Sequence, residues 1–145
     1  TDLIGFEWNE NSLFANSFVA EIGVEQLSDT ALKIKVEPFI PAQAVAFPVA
    51  CTHATMRLEL FQLNDQSSLL RNKHAINTID FQKTNTEPIV CEWNIEELIP
   101  DVLTVAVMEI QFFYPINNNP NQLTLYNSKA FNPSMIVYVS DMQRE

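Results

Sequence analysis

Val102-Leu103-Thr104-Val105-Ala106-Val107-Met108-Glu109-Ile110-Gln111-Phe112-Phe113-Tyr114 is the stretch that decides the fold. Its first half is apolar at successive positions, so both faces of an extended strand there are greasy. Its second half turns polar on alternate positions, at Glu109 and Gln111. That pattern predicts a central strand that runs out past the core. The longest apolar run, Val102 to Ile110, is interrupted by Thr104 and Glu109. It falls short of the roughly eighteen apolar residues a spanning helix needs, and no membrane insertion is expected.

Working outward, the same period of two recurs. Cys91, Trp93 and Ile95 alternate with Glu92 and Asn94, and Met56, Leu58 and Leu60 alternate with Arg57 and Glu59. Phe18, Ala20, Ile22 and Val24 read as one strand, which Ser28-Asp29 turns into Leu32, Ile34 and Val36, a predicted hairpin. Ile4, Phe6 and Trp8 share a face of an opening strand, and Met135 to Val139 closes the chain. Ile79 and Phe81 mark a short strand after a polar loop holding Arg71, Lys73 and His74. The proline-bounded segment Phe39 to Thr52 reads as a long crossover, and Glu96 to Asp101 as the one helical turn. With only Gly5 and Gly23 available, asparagine and aspartate must supply the left-handed turn residues, at Ser28-Asp29, Asn64-Asp65 and Asn117-Asn118-Asn119-Pro120-Asn121. The last of these returns the chain through Leu123 and Leu125. The expectation is an all-β fold, an antiparallel β-sandwich of immunoglobulin or fibronectin type III kind with about seven to eight strands in one domain, residues 1–145.

Composition agrees with one domain: 145 residues with 47% apolar content can build one continuous core. A net charge of -10 sets the surface against nucleic acid, whose phosphates demand a cationic face. The first residue, Thr1, follows neither an initiator Met nor a signal sequence, as expected of a processed secreted protein or a segment of a longer chain.

Cys51 and Cys91 admit two readings. A disulfide across about 40 residues would add roughly 3 to 4 kcal/mol; alternatively both are buried thiols, since Cys91 is in phase with Trp93. Cys51, His53 and His74 lack the second paired motif that structural zinc requires. Glu59, Glu92 and Glu109 face outward on strands, where glycoside hydrolysis would need a pair at set separation with one buried. Phosphate-cradling loops need glycines the chain does not have. No cofactor and no catalytic residue is expected, and the chain reads as a non-enzyme.

Three stretches carry a resemblance: Phe39-Ile40-Pro41-Ala42 with Phe47-Pro48-Val49-Ala50-Cys51-Thr52-His53-Ala54; Val105 to Tyr114; and Ala130-Phe131-Asn132-Pro133-Ser134-Met135-Ile136-Val137. Over residues 39–139 the chain resembles an uncharacterised domain family of Bacteroidota with immunoglobulin-like or fibronectin-like sandwich character. Val49-Ala50-Cys51 stands where that family carries small and glycine residues. The resemblance implies a sandwich fold and a bacterial source, and transfers no activity.

The functional expectation is a structural or adhesive module that contacts protein, including copies of itself, at a bacterial cell surface or outside the cell. The candidate edges are Leu3, Ile4 and Phe6 at the start and Met135, Val137 and Val139 at the end, where open strands could pair. The competing expectation is glycan binding by Phe113, Tyr114 and Tyr126 with the Asn117, Asn118 and Asn119 loop. Trp8 and Trp93 are phased inward and leave Phe113, Tyr126 and Tyr138 as surface rings.

Overall fold

The strand predicted to be central is central. In the computed structural model, which describes residues 4–7, 14–63, 69–126 and 133–140, β6 (Leu103–Ile116) pairs along one side with β3 (His53–Leu63). On its other side it pairs first with β8 (Ser134–Ser140) and then with β7 (Asn119–Leu125). β4 (Leu69–Gln82) adds beyond β3 and completes a five-stranded sheet. β1 (Ile22–Ser28), β2 (Ala31–Phe39) and β5 (Ile89–Ile95) form a three-stranded sheet in that order. All pairings are antiparallel. The result is a β-sandwich of eight strands in the described residues.

One core fills the space between the sheets. Leu32, Ile34 and Val36 of β2 and Cys91, Trp93 and Ile95 of β5 face Met56, Leu58 and Leu60 of β3 and Ala106, Met108, Ile110 and Phe112 of β6. Trp93 has no exposed surface at all. A ring stack closes one end: Phe39 meets Phe18 at 4.8 Å and Phe81 at 5.6 Å, edge to face in both cases. That geometry sets a positive ring edge against a negative face and adds about 1 kcal/mol per pair beyond burial.

Asparagine makes the tightest turn, as expected. Asn117 and Asn118 hold φ of 52° and 59°, and Ile116 pairs with Asn119 across them. Two consecutive left-handed residues give the hairpin turn whose twist matches the flanking strands. The Ser28-Asp29 hairpin also forms, with Ser28 opposite Ala31. The crossover carries a short helix, α2 (Pro41–Ala44), and takes the chain from one sheet to the other.

Four expectations need correcting. Ile4 and Gly5 form a turn, with Gly5 at φ 92°, so the extended alternation breaks there. Ile4 and Phe6 are consequently about half exposed instead of facing the core. The strand expected from Phe18 begins only at Ile22; Phe14–Ser17 forms a short helix, α1, whose i to i+4 bond from Phe18 N–H to Phe14 C=O stacks both rings into the core. The backbone of Arg71, Lys73 and His74 lies in β4, because β3 offers an unbroken template and an edge strand tolerates polar residues. Finally, Glu96 to Asp101 is not helical: Glu97 and Asp101 sit at φ 59° and 61°, which no α-helical turn accommodates. Leu3, Trp8, the Asn64-Asp65 turn and residues 130–132 lie outside the described residues.

Candidate functional site

A buried amide holds the irregular loop between β5 and β6. Gln62 stands in phase with Met56, Leu58 and Leu60 and is completely buried. Its Nε2 donates to Ile99 C=O at 2.9 Å and to Thr104 Oγ1 at 3.0 Å, and its Oε1 accepts from Ile99 N–H at 3.1 Å. A buried amide is tolerated only when satisfied in this way. The loop is thereby fixed without a helix.

The two candidate edges lie side by side. Ile136 N–H donates to Phe6 C=O at 2.9 Å, Gly5 N–H donates to Ile136 C=O at 2.8 Å, and Glu7 bridges Met135. Glu7 is held in turn, its carboxylate accepting from Phe14 N–H. β1 is the outer strand of its sheet, and β8 has β6 on one side and residues 5–7 along the start of the other. Between these two edges runs an apolar cleft of about 330 Å³ lined by Phe14, Phe18, Ile22, Met135 and Val137, with Ile4 and Gly5 on its rim. Val139, further along β8, is buried opposite Val105.

The predicted aromatic platform does not form as one surface. Tyr114 follows Phe112 on the inward side, meets Tyr126 edge to face at 6.3 Å, and packs with it against the core. Phe113 points to the opposite face of the sheet, as consecutive strand residues must. Tyr138, expected at the surface, also packs against the core. Asn117 and Asn118 are exposed and serve the turn, and Asn119 caps it by accepting from Asn121 N–H at 3.0 Å.

Charge gathers in the middle of the outer face of the five-stranded sheet. Arg57 Nη1 lies 3.0 Å from Glu109 Oε1, and its Nη2 lies 3.7 Å from Glu59 Oε1. Burial raises the Glu109 pKa, Arg57 pulls it back and Glu59 pushes it up again. Both carboxylates are thus engaged by one guanidinium on an open face, while Glu92 lies on the other sheet. Cys51 and Cys91 are buried free thiols, not joined to each other. Burial pushes Cys91 up to about 11 and also raises Cys51, against an opposing pull from Lys83. A thiol so protonated is a poor nucleophile. Among the described residues no cluster of three or more His, Cys, Asp or Glu side chains is placed to hold a metal. No helix of the described residues is long and apolar enough to cross a membrane.

Sequence reasoning missed Gln62, although its inward phase on β3 was visible and is the signal that finds it. It also missed the grouping of His53, Thr55 and Asp80 around Phe113, because cross-strand register is invisible in a single strand's alternation.

The class these features define is an antiparallel β-sandwich of three strands against five, with an apolar cleft between β1 and the stretch of β8 on which residues 5–7 lie. Comparison with family models, curated proteins and solved structures finds no match for the chain.

Proposed function

We propose that this chain is a non-enzymatic protein-interaction module that assembles with copies of itself, at a bacterial surface, through the edges of β1 and β8. The observation that supports this most is the cleft between those edges. Core side chains, Phe14, Phe18 and Val137, reach its wall, and the Ile4 to Glu7 segment already lies along β8 through backbone bonds. An extended segment from a second copy, replacing residues 5–7 on β8 or pairing with the outer side of β1, would make backbone hydrogen bonds and bury apolar side chains in the cleft. Exchange of an identical segment between protomers is an economical route to such a contact, because the same bonds re-form.

Light scattering coupled to size exclusion over a wide concentration range tests the reading. Growth into dimers or longer assemblies, abolished by Ile22→Lys, is the expected result. A monomer throughout rejects it. Growth that persists unchanged in Ile22→Lys and in Val137→Lys would place the contact elsewhere and reject the cleft.

A further inference from the structure

The far end of the five-stranded sheet holds a different feature. On its outer face, His53 of β3 stands opposite Phe113 of β6, and Thr55 stands opposite Asp80 of β4. With Leu123 of β7 they line a hollow of about 310 Å³. Sites for small ligands run from about 300 to 1,000 Å³, with apolar walls and a few placed polar groups. This hollow sits at the small end of that range.

Its polar groups are already oriented. Thr55 Oγ1 donates to Asp80 Oδ1 at 2.6 Å, which fixes the carboxylate and leaves Oδ2 as an acceptor. Thr52 Oγ1 and His53 Nδ1 share a hydrogen bond of 2.7 Å, which fixes the imidazole and leaves Nε2 to a ligand. Phe113 supplies a half-buried ring, and Leu123 is 41% exposed beside it. We propose that this hollow over Phe113 binds a single neutral sugar ring. The apolar C–H face of a pyranose packs on the negative face of an aromatic ring, while its hydroxyls donate to a carboxylate and exchange hydrogen bonds with an imidazole. A neutral polyol uses all three groups. An anionic ligand would meet the Asp80 carboxylate and a chain of net charge -10, and a quaternary ammonium cation, with no N–H to donate, would use the carboxylate and ring but gain nothing from His53. This site lies apart from the β1 and β8 edges and does not depend on assembly through them.

The test is a nuclear magnetic resonance titration of the labelled protein with the methyl glycosides of glucose, galactose, mannose and N-acetylglucosamine, and with tetramethylammonium as the cationic control. At least one glycoside should shift the amides of His53, Thr55, Asp80 and Phe113 along a saturating curve. Phe113→Ala should weaken binding at least about tenfold and Phe113→Trp should preserve it. Asp80 is exposed, so Asp80→Asn should leave the spectrum dispersed while weakening binding several-fold. Silence with all four glycosides overturns the proposal. So do shifts that survive both Phe113→Ala and Asp80→Asn, or saturation by tetramethylammonium in place of the sugars.

Discussion

The two sheets share one core but treat their outer faces differently. On the three-stranded sheet the outward positions carry Lys35, Glu37, Glu92 and Asn94, all exposed. On the five-stranded sheet the outward positions of β3 and β6, from Phe61 and Val105 through Arg57 and Glu109 to Phe113, are all half-buried. A solvated face needs little explanation, since charged residues belong in water. A face where aromatic, aliphatic and paired charged residues are all partly withdrawn from water resembles the composition of a recognition surface, where aromatics and arginine are enriched. Pairing matters here too. β3 and β6 each have strands on both sides, which crowds their outward side chains, and β5 is an edge; β2 is flanked on both sides too, yet its Lys35 and Glu37 stay exposed, so pairing explains only part of the contrast.

The largest effect should come from the wall the two sheets share. Trp93→Ala should cost about 3 to 5 kcal/mol in denaturant unfolding, because a fully buried indole leaves a cavity that its neighbours cannot close. A loss below about 1 kcal/mol would mean that the three-stranded sheet does not pack on the other as described. Next comes Gln62→Leu, expected to cost about 2 to 3 kcal/mol by stranding the Ile99 N–H and C=O. Hydrogen exchange at Ile99 should accelerate in that variant; unchanged protection would remove the clamp from the account.

The contrast between outer faces is sharpened by a matched pair. Val107→Lys on the half-buried face should cost about 1 kcal/mol, whereas Lys35→Thr on the solvated face should stay within about 0.5 kcal/mol of the parent. Equal effects would erase the distinction. The smallest expected signal is in pH. Because the folded pKa of Glu109 is raised above its ordinary 4.5, its contribution to stability is fully present below that value and is lost as pH rises through the folded pKa. Stability measured by urea unfolding across the weakly acidic range should therefore fall less steeply with rising pH in Glu109→Gln. An identical slope in parent and variant would assign the pH dependence to other groups.

Much of this architecture could be read in the chain. Cys91, Trp93 and Ile95 declared their inward phase because alternation on a strand is strict, and the asparagines at 117 and 118 declared a turn because few other residues accept left-handed geometry. The length of β4 could not be read. Its first half is polar, and only the template of β3 keeps it extended. Nor could the loop from Glu96 to Asp101, whose composition suits a helical turn but whose conformation is dictated by an amide 37 residues upstream. At the aromatic corner, alternation alone already separates Phe113 from Tyr114. What brings His53 and Asp80 to Phe113 is register between strands, a relation that no strand carries within itself.

The position of β6 also governs how quickly the chain can fold. Its principal partner is β3, and the pairs run from Leu63 with Leu103 to His53 with Phe113, so about 40 to 60 residues must be looped out before the central ladder closes. Loop closure of that length comes before the contacts that reward it, and domains dominated by such distant pairings fold in milliseconds to seconds. The β6–β7 hairpin can close locally at its two-residue turn, but until the β3 ladder zips the side of β6 that faces β3 has no partner strand. The same segment that organises the finished sandwich thus offers an unpaired edge that another chain can capture during folding.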